Sequence, residues 1–504
     1  MSGIASELAG LAFFIVAGWV ALWPARRTMG PVAYHLAALP AGLLGAALAS
    51  SFSALTNRPL DLLSAAGGVL VLAFAAQLLL RHLGGRERGA RQVRPLTFVV
   101  AAASAGVLGT AFGLLRLTVT NSDSVMSYWP LGVELARKGA LTPGLIATRS
   151  VLIPSMNAIY HSFGSDWAYV IYPMLAVALV AWLAATLLAG PLASLKPRTA
   201  WTIVGVAAAA LVLEPSFLFN AVFVHSHMFS AIYLLMSLTC VWMAAPHGHG
   251  DDAAIDRTYL VLAGIFATGL MLARPDGLAY LFVPSAAAMT LVARPKVDLK
   301  AAAAYFAPVL FMLVATYGVA YLELGMWRSG KLSGKRTLAV LLVVIASAAG
   351  PWVVAWLDKR LPFRVTGERF QSIFVAATAA LMVLALAIKH GTASEALANA
   401  WLNIFAGSGG YNYLWLGMLA LLLLSLFTHD ALRRDSWTRS PFLSIVLFYV
   451  IALIVHGISH AGRVGAGDSL NRVVFHTLPV IVWYLAAVAG RIFGDQEKAL
   501  PAVD

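Results

Sequence analysis

The stretch Asn121-Ser122-Asp123-Ser124-Val125-Met126-Ser127-Tyr128-Trp129-Pro130 sets a carboxylate and two aromatic rings just after an apolar run that ends near Leu117. A carboxylate at the mouth of a membrane helix is costly unless it caps the helix or does chemistry. As chemistry, Asp123 is the candidate general base, taking the proton of an acceptor hydroxyl. As structure, it is a helix N-cap, a job that Asn121 or Ser122 could do equally well.

Other ionisable residues fall in comparable places. Ala273-Arg274-Pro275-Asp276-Gly277 interrupts an apolar region that is too long for one span. Pro and Gly break the helix there and leave the charges at the break. Arg274 and Asp276 either pair with each other, or Arg274 holds a phosphate, which guanidinium geometry favours. His225-Ser226-His227 stands at a helix start. Two histidines two apart point in different directions on a helix, so joint ligation of one metal is not expected. Glu214, before Pro215, is a helix-end carboxylate or a second acid of a site. Near the C-terminal end, His456, His460, Arg463, Asp468, Arg472 and His476 follow one another through a glycine-containing stretch. Arg463 and Arg472 could cradle a phosphate or pyrophosphate, or meet lipid head groups. Tyr128 and Trp129 are interfacial aromatics or a stacking face for a sugar ring.

The elements that carry these residues are membrane helices. The chain of 504 residues is 60% hydrophobic and only 11% charged, with a mean hydropathy of +0.82. A soluble chain would carry roughly a quarter charged residues. Apolar runs recur from end to end, so the expected fold is an all-α, polytopic transmembrane bundle of about 13 to 15 spans. The runs lie near 4–23, 31–52, 62–80, 96–116, 167–190, 200–217, 222–244, 258–273, 277–293, 301–322, 337–357, 371–388, 413–428, 442–459 and 474–493. Three segments organise them: N-terminal helices 1–95, a core 96–293 with an outer loop 117–165, and C-terminal helices 294–504.

The net charge of +13 is a topology signal, since the arginines cluster in short loops between spans. Nucleic acid is not the expected partner. Arg26-Arg27 follow the first apolar run, which argues against a cleaved leader and puts the N-terminus outside. Most of the 35 Lys and Arg then fall on the cytoplasmic side, anchored by the loop Arg81–Arg94. On that topology Asp123, Glu214, His225, His227, Arg274, Asp276, His460, Arg463 and Arg472 all gather at the outer face, which marks a candidate site. The single Cys240 excludes a disulfide framework and a cysteine metal site. Gly325–Lys331 fits only part of a P-loop, with Leu332 where the Mg²⁺-binding hydroxyl should stand. His247–Asp252 is metal-like by composition but reads as a solvated loop.

Residues Asn121–Gly139, with Asp123 and Tyr128-Trp129, resemble the first outer loop of the GT-C superfamily of integral membrane glycosyltransferases. Arg274-Pro275-Asp276-Gly277 is similar to an Arg-Pro-Glu/Asp-Gly segment of bacterial members. The resemblance spans about 96–293. It implies a sugar donor on a polyprenyl phosphate or pyrophosphate, an outer-face site in the plasma (inner) membrane, transfer with inversion to a glycan, lipid or protein acceptor, and Asp123 as base. Many members carry a second acid in the second outer loop, where this chain has His225 and His227, so a divalent metal stays open. Four spans precede Asp123 here, where one is usual. Two other readings remain: a transporter or lipid-linked glycan flippase, and an O-antigen ligase- or polymerase-like enzyme in which the Arg463–Arg472 loop is primary.

Overall fold

The computed structural model describes residues 2–56, 58–84, 128–139, 151–165, 168–222, 225–245, 255–274, 276–293, 296–320, 334–361, 368–406, 411, 413–428, 436–459 and 469–499. Asp123, His460 and Arg463 lie outside them, as do the run 96–116 and the segments 247–252 and 325–331. The described residues are all-α, with no strand and one isolated antiparallel bridge, Ala293–Val297.

Helices α1 (Ser2–Leu22) and α2 (Arg26–Thr56) fold back on each other through a short 3-10 turn. Glycine permits their close approach: a Cβ on Gly18 would strike the Ala38 carbonyl, and one on Gly42 the Phe14 carbonyl. Membrane helices lack a hydrophobic drive toward one another, so small residues that let backbones touch are what hold such a pair. α3 (Leu62–His82) begins at Asp61, whose carboxylate accepts the Ser64 N–H at 2.8 Å.

The short α4 (Trp129–Lys138) closes at Gly139, in the left-handed region at φ 66, where a side chain would also strike the Arg58 carbonyl. α4 rests on α5 (Leu152–Ser162). The turn before α3 is stitched to both: Leu60 N–H donates to Leu135 O at 3.2 Å, and Ser162 Oγ donates to Leu60 O at 2.9 Å.

Next come α6 (Ile171–Ala189), α7 (Pro197–Val212) and α8 (Pro215–Val222). α7 and α8 are bent by 70° at Leu213-Glu214, the geometry of a broken span or a re-entrant loop. α9 (Ser226–Ala244) is buried along its whole apolar window. It is flanked by α10 (Arg257–Ala273), and the one-turn α11 (Gly277–Tyr280) and α12 (Phe282–Val292) follow. The remaining helices are α13 (Leu299–Leu313), α14 (Gly334–Arg360), α15 (Glu368–Ile388), α16 (His390–Ile404), α17 (Tyr413–Thr428), α18 (Ser436–Ser459), α19 (Ser469–Val474) and α20 (Leu478–Ala499).

Among the described residues, 8 helices are long and apolar enough to cross a membrane, or 9 with the bent pair. The 52-residue stretch Ala5–Thr56 counts once there, although it holds both α1 and α2. Four further apolar helices have 10–17 residues. The bend after Val212 falls inside the run 200–217, and the helix Leu299–Leu313 ends inside the run 301–322. The protein is thus a multi-pass membrane protein.

α2 and α10 run parallel. Tyr259 Oη donates to Thr28 O at 3.3 Å near their starts, and Leu44, Ile265 and Thr268 line one small cavity further along.

Candidate functional site

Three histidines, two arginines and one carboxylate meet where α9, α10, α11 and α19 end or begin. Each arrives by a local backbone device. His225 is the N-cap of α9, with extended backbone (φ −151, ψ 166), and its Nδ1 accepts the Ser226 N–H at 2.8 Å. His227 is in the first turn of α9, and Arg274 ends α10 with extended backbone at the Pro-Gly break. Arg472 sits in α19, and His476 in the 3-10 turn that joins α19 to α20.

His225 and His227 stack, with ring centroids 4.3 Å apart and planes at 12°. This corrects the expectation that they diverge. That expectation treated both as helical, whereas His225 lies just outside the helix and its ring folds back over the first turn.

Arg274 and Asp276 do pair: Nε donates to Oδ1 at 2.7 Å and Nη2 to Oδ2 at 3.1 Å. Both side chains are largely buried, 12% and 14% exposed. The pairing leaves Nη1 aimed the other way. It lies 3.1 Å from His227 Nε2 and 3.4 Å from Ser226 Oγ. His227 Nδ1 is 2.9 Å from His476 Nε2. Arg472 Nη1 donates to His225 Nε2 at 3.2 Å. His227 and His476 are fully buried.

The donor count is lopsided. His225 faces a donor at each ring nitrogen, Ser226 N–H and Arg472 Nη1. A neutral imidazole carries one N–H and can accept from only one of them. Across the cluster, two guanidinium groups and three imidazoles meet one carboxylate, Asp276, among the described residues. Two guanidinium charges stand against one carboxylate among the described residues, with the imidazoles accepting their N–H groups, and the bidentate guanidinium suits phosphate oxygens.

Tyr128 joins the cluster from α4. It is buried, and its ring stands edge-on to His225 at 5.6 Å. Asn157 Nδ2 fixes it from behind by donating to Tyr128 O at 3.3 Å. Trp129, next in sequence, turns away and meets His161 at 6.0 Å. Glu214 is fully buried at the bend between α7 and α8, with Ser216 Oγ at 3.4 Å. The structure thus brings together Tyr128, His225, His227, Arg274, Asp276 and Arg472. His476 is the addition. It stands four residues after Arg472, a spacing that shares a helix face and could have marked it.

An apolar cavity of about 210 Å³ opens close by, between α12, α13, α14 and α15. Leu278, Leu281, Phe282, Phe306, Val354 and Phe374 line it. Leu278, in its lining, is two residues beyond Asp276 in the chain.

The described residues of the cluster do not by themselves make a metal site. Among the described residues no group of three or more His, Cys, Asp or Glu could hold one. The imidazoles point at one another and at guanidinium groups rather than at a common centre.

Comparisons with protein-family models, with curated proteins and with solved structures find no match to this chain.

Proposed function

We propose that this protein is a membrane glycosyltransferase that draws its sugar from a polyprenyl phosphate or pyrophosphate, in the manner of the GT-C superfamily. The two guanidinium groups of Arg274 and Arg472, against the single carboxylate of Asp276 among the described residues, carry this reading. They supply what a phosphate needs, and the apolar cavity supplies what a hydrocarbon chain needs. Arg472 and Arg274 bind the donor phosphate by exchanging their N–H bonds to His225 and His227 for phosphate oxygens. Asp276 fixes the angle of Arg274, and His476 backs His227. As the sugar bond to phosphate breaks, negative charge grows on the leaving oxygen, and fixed guanidinium donors stabilise it. Asp123, at the position the GT-C resemblance marks, accepts the proton of the acceptor hydroxyl, which attacks with inversion. The reaction belongs to the outer face of the plasma membrane, where lipid-linked sugars replace nucleotide sugars.

One observation favours a second reading, a transporter. Broken spans with a buried carboxylate at the break, as at Glu214, are a transporter device.

The test is transfer of labelled sugar from a panel of polyprenyl-phosphate donors by purified protein in lipid nanodiscs. Wild type transfers; Asp123→Asn binds donor normally but loses transfer by about 10²–10⁴-fold. Donor binding without transfer to any acceptor, combined with flux of the donor across the bilayer, would replace the enzyme reading with the transporter.

A further inference from the structure

A second polar site lies apart from the cluster, at the other end of α4. A depression of about 430 Å³ is lined by Asp61, Leu62, Leu63, Ala136, Arg137, His161 and Ser162. That volume is within the usual range of small-molecule sites, about 300–1,000 Å³. It brings the start of α3 together with the ends of α4 and α5.

Its charges are opposite in sign and separate. Among the described residues no ion pair joins Asp61 to Arg137, although both line the same depression. Asp61 is an ionised partner: the backbone hydrogen bond from Ser64, working against partial burial, holds its carboxyl below the usual range. Two opposite charges that no ion pair joins among the described residues, across one open space, fit a ligand that is itself a zwitterion.

The membrane side of the depression is apolar. Leu62 and Leu63, in the first turn of α3, are 42% and 61% exposed. Leu70 and Phe74 continue the exposed face down the same helix, 67% and 71% exposed. The spacing 63, 70, 74 and then 78 keeps these side chains on one stripe of an apolar span. A polar pocket over an exposed apolar stripe has the shape of a lipid, with head group above and chains below.

We propose that this depression binds a phospholipid with a zwitterionic, primary-amine head group of the phosphoethanolamine type. The ammonium lies at Asp61, the phosphate at Arg137 and His161, and the acyl chains run along Leu63, Leu70 and Phe74. A primary ammonium donates up to three hydrogen bonds to the carboxylate, whereas a quaternary ammonium donates none. An anionic head group without an amine offers Asp61 no cation. The site is independent of the glycosyltransferase reading. It still bears on the cluster: α4 carries Arg137 at one end and Tyr128, against His225, at the other. A lipid held at Arg137 steadies the helix that presents Tyr128.

The experiment uses the full chain in nanodiscs with equal amounts of phosphatidylethanolamine, phosphatidylcholine and phosphatidylglycerol, and native mass spectrometry of the lipids retained on release. Two variants keep the fold. Asp61→Asn preserves the helix cap, because Asn caps as well as Asp. Arg137→Gln preserves helix propensity. Wild type retains phosphatidylethanolamine about tenfold over phosphatidylcholine, as one lost charge-assisted contact would give. Both variants lose that preference while their unfolding temperature without lipid stays the same. Equal retention of the three lipids, preference for phosphatidylglycerol, or an undiminished preference in Asp61→Asn would each overturn the proposal.

Discussion

Helix α9 (Ser226–Ala244) and helix α15, whose candidate span is Arg369–Ile388, are both long enough to cross a bilayer, yet the first is buried along its whole apolar window and the second is 6% buried. The buried helix is the less apolar of the two. α9 carries Ser226, His227, Ser230, Tyr233, Ser237 and Thr239, while the body of α15 is nearly all Ala, Val, Leu, Ile, Phe and Met. In water the order would be reversed. In lipid an apolar side chain gains nothing by moving inward, so polar groups decide which helix is central. Tyr233 Oη donates to Pro40 O at 2.7 Å, Ser237 Oγ to Ala263 O at 2.8 Å, and Trp182 Nε1 to Thr239 Oγ1 at 2.8 Å. α15 obeys the same rule on a smaller scale: Gln371 turns inward and donates to Ser444 Oγ at 3.0 Å and Ser440 O at 3.1 Å.

The contrast predicts where a change will hurt. The largest effect belongs to Arg274→Ala, which leaves Asp276 as a buried charge without its guanidinium. It should cost about 3–5 kcal/mol in reversible unfolding from detergent micelles. Ile388→Ala, at a site 71% exposed to the surroundings of α15, should stay within about 0.5 kcal/mol. Similar losses at the two sites would break the comparison.

Next in size is Leu384→Arg, which puts a charge on the outward face of α15, where Leu384 is 56% exposed. Membrane insertion of that segment should become less favourable by about 2.5–3.5 kcal/mol, read in a translocon insertion assay. Unchanged insertion would mean that α15 does not face lipid.

The smallest effect lies at the helix boundary. Asp61→Ala removes the cap of α3 and should cost about 1 kcal/mol, whereas Asp61→Asn should cost a few tenths at most. The folded carboxyl is held below its unfolded value, so its contribution is present above about pH 4 and is lost as the pH falls through the folded value. Unfolding of wild type and Asp61→Asn at pH 7 and pH 3 checks the sign: wild type should lose its margin only at the lower pH.

The sequence shows the architecture through its apolar runs, and it shows the Arg274–Asp276 break through Pro275 and Gly277. Helix ends were harder to read, because hydropathy runs on through the turns that stop the helix, as where the run 200–217 passes the end of α7 at Val212. The bent span at Glu214 is legible only in the pair Glu214-Pro215. The histidine stack was not legible. It depends on one residue, His225, taking extended backbone just before α9. His476 was legible as one of the ionisable residues beside Arg472, but its contact with His227 was not: it spans 249 positions, and nothing local in either segment announces the other.

The central claim is that the buried cluster holds the phosphate of a lipid. Calorimetric binding of a short isoprenyl phosphate to the purified protein tests it most directly, with the corresponding isoprenol as competitor and Arg472→Gln as the variant. Wild type should bind the phosphate without displacement by the alcohol, and Arg472→Gln should weaken binding by about tenfold or more at unchanged unfolding temperature. Equal binding by wild type and Arg472→Gln, or displacement by the alcohol, would contradict it.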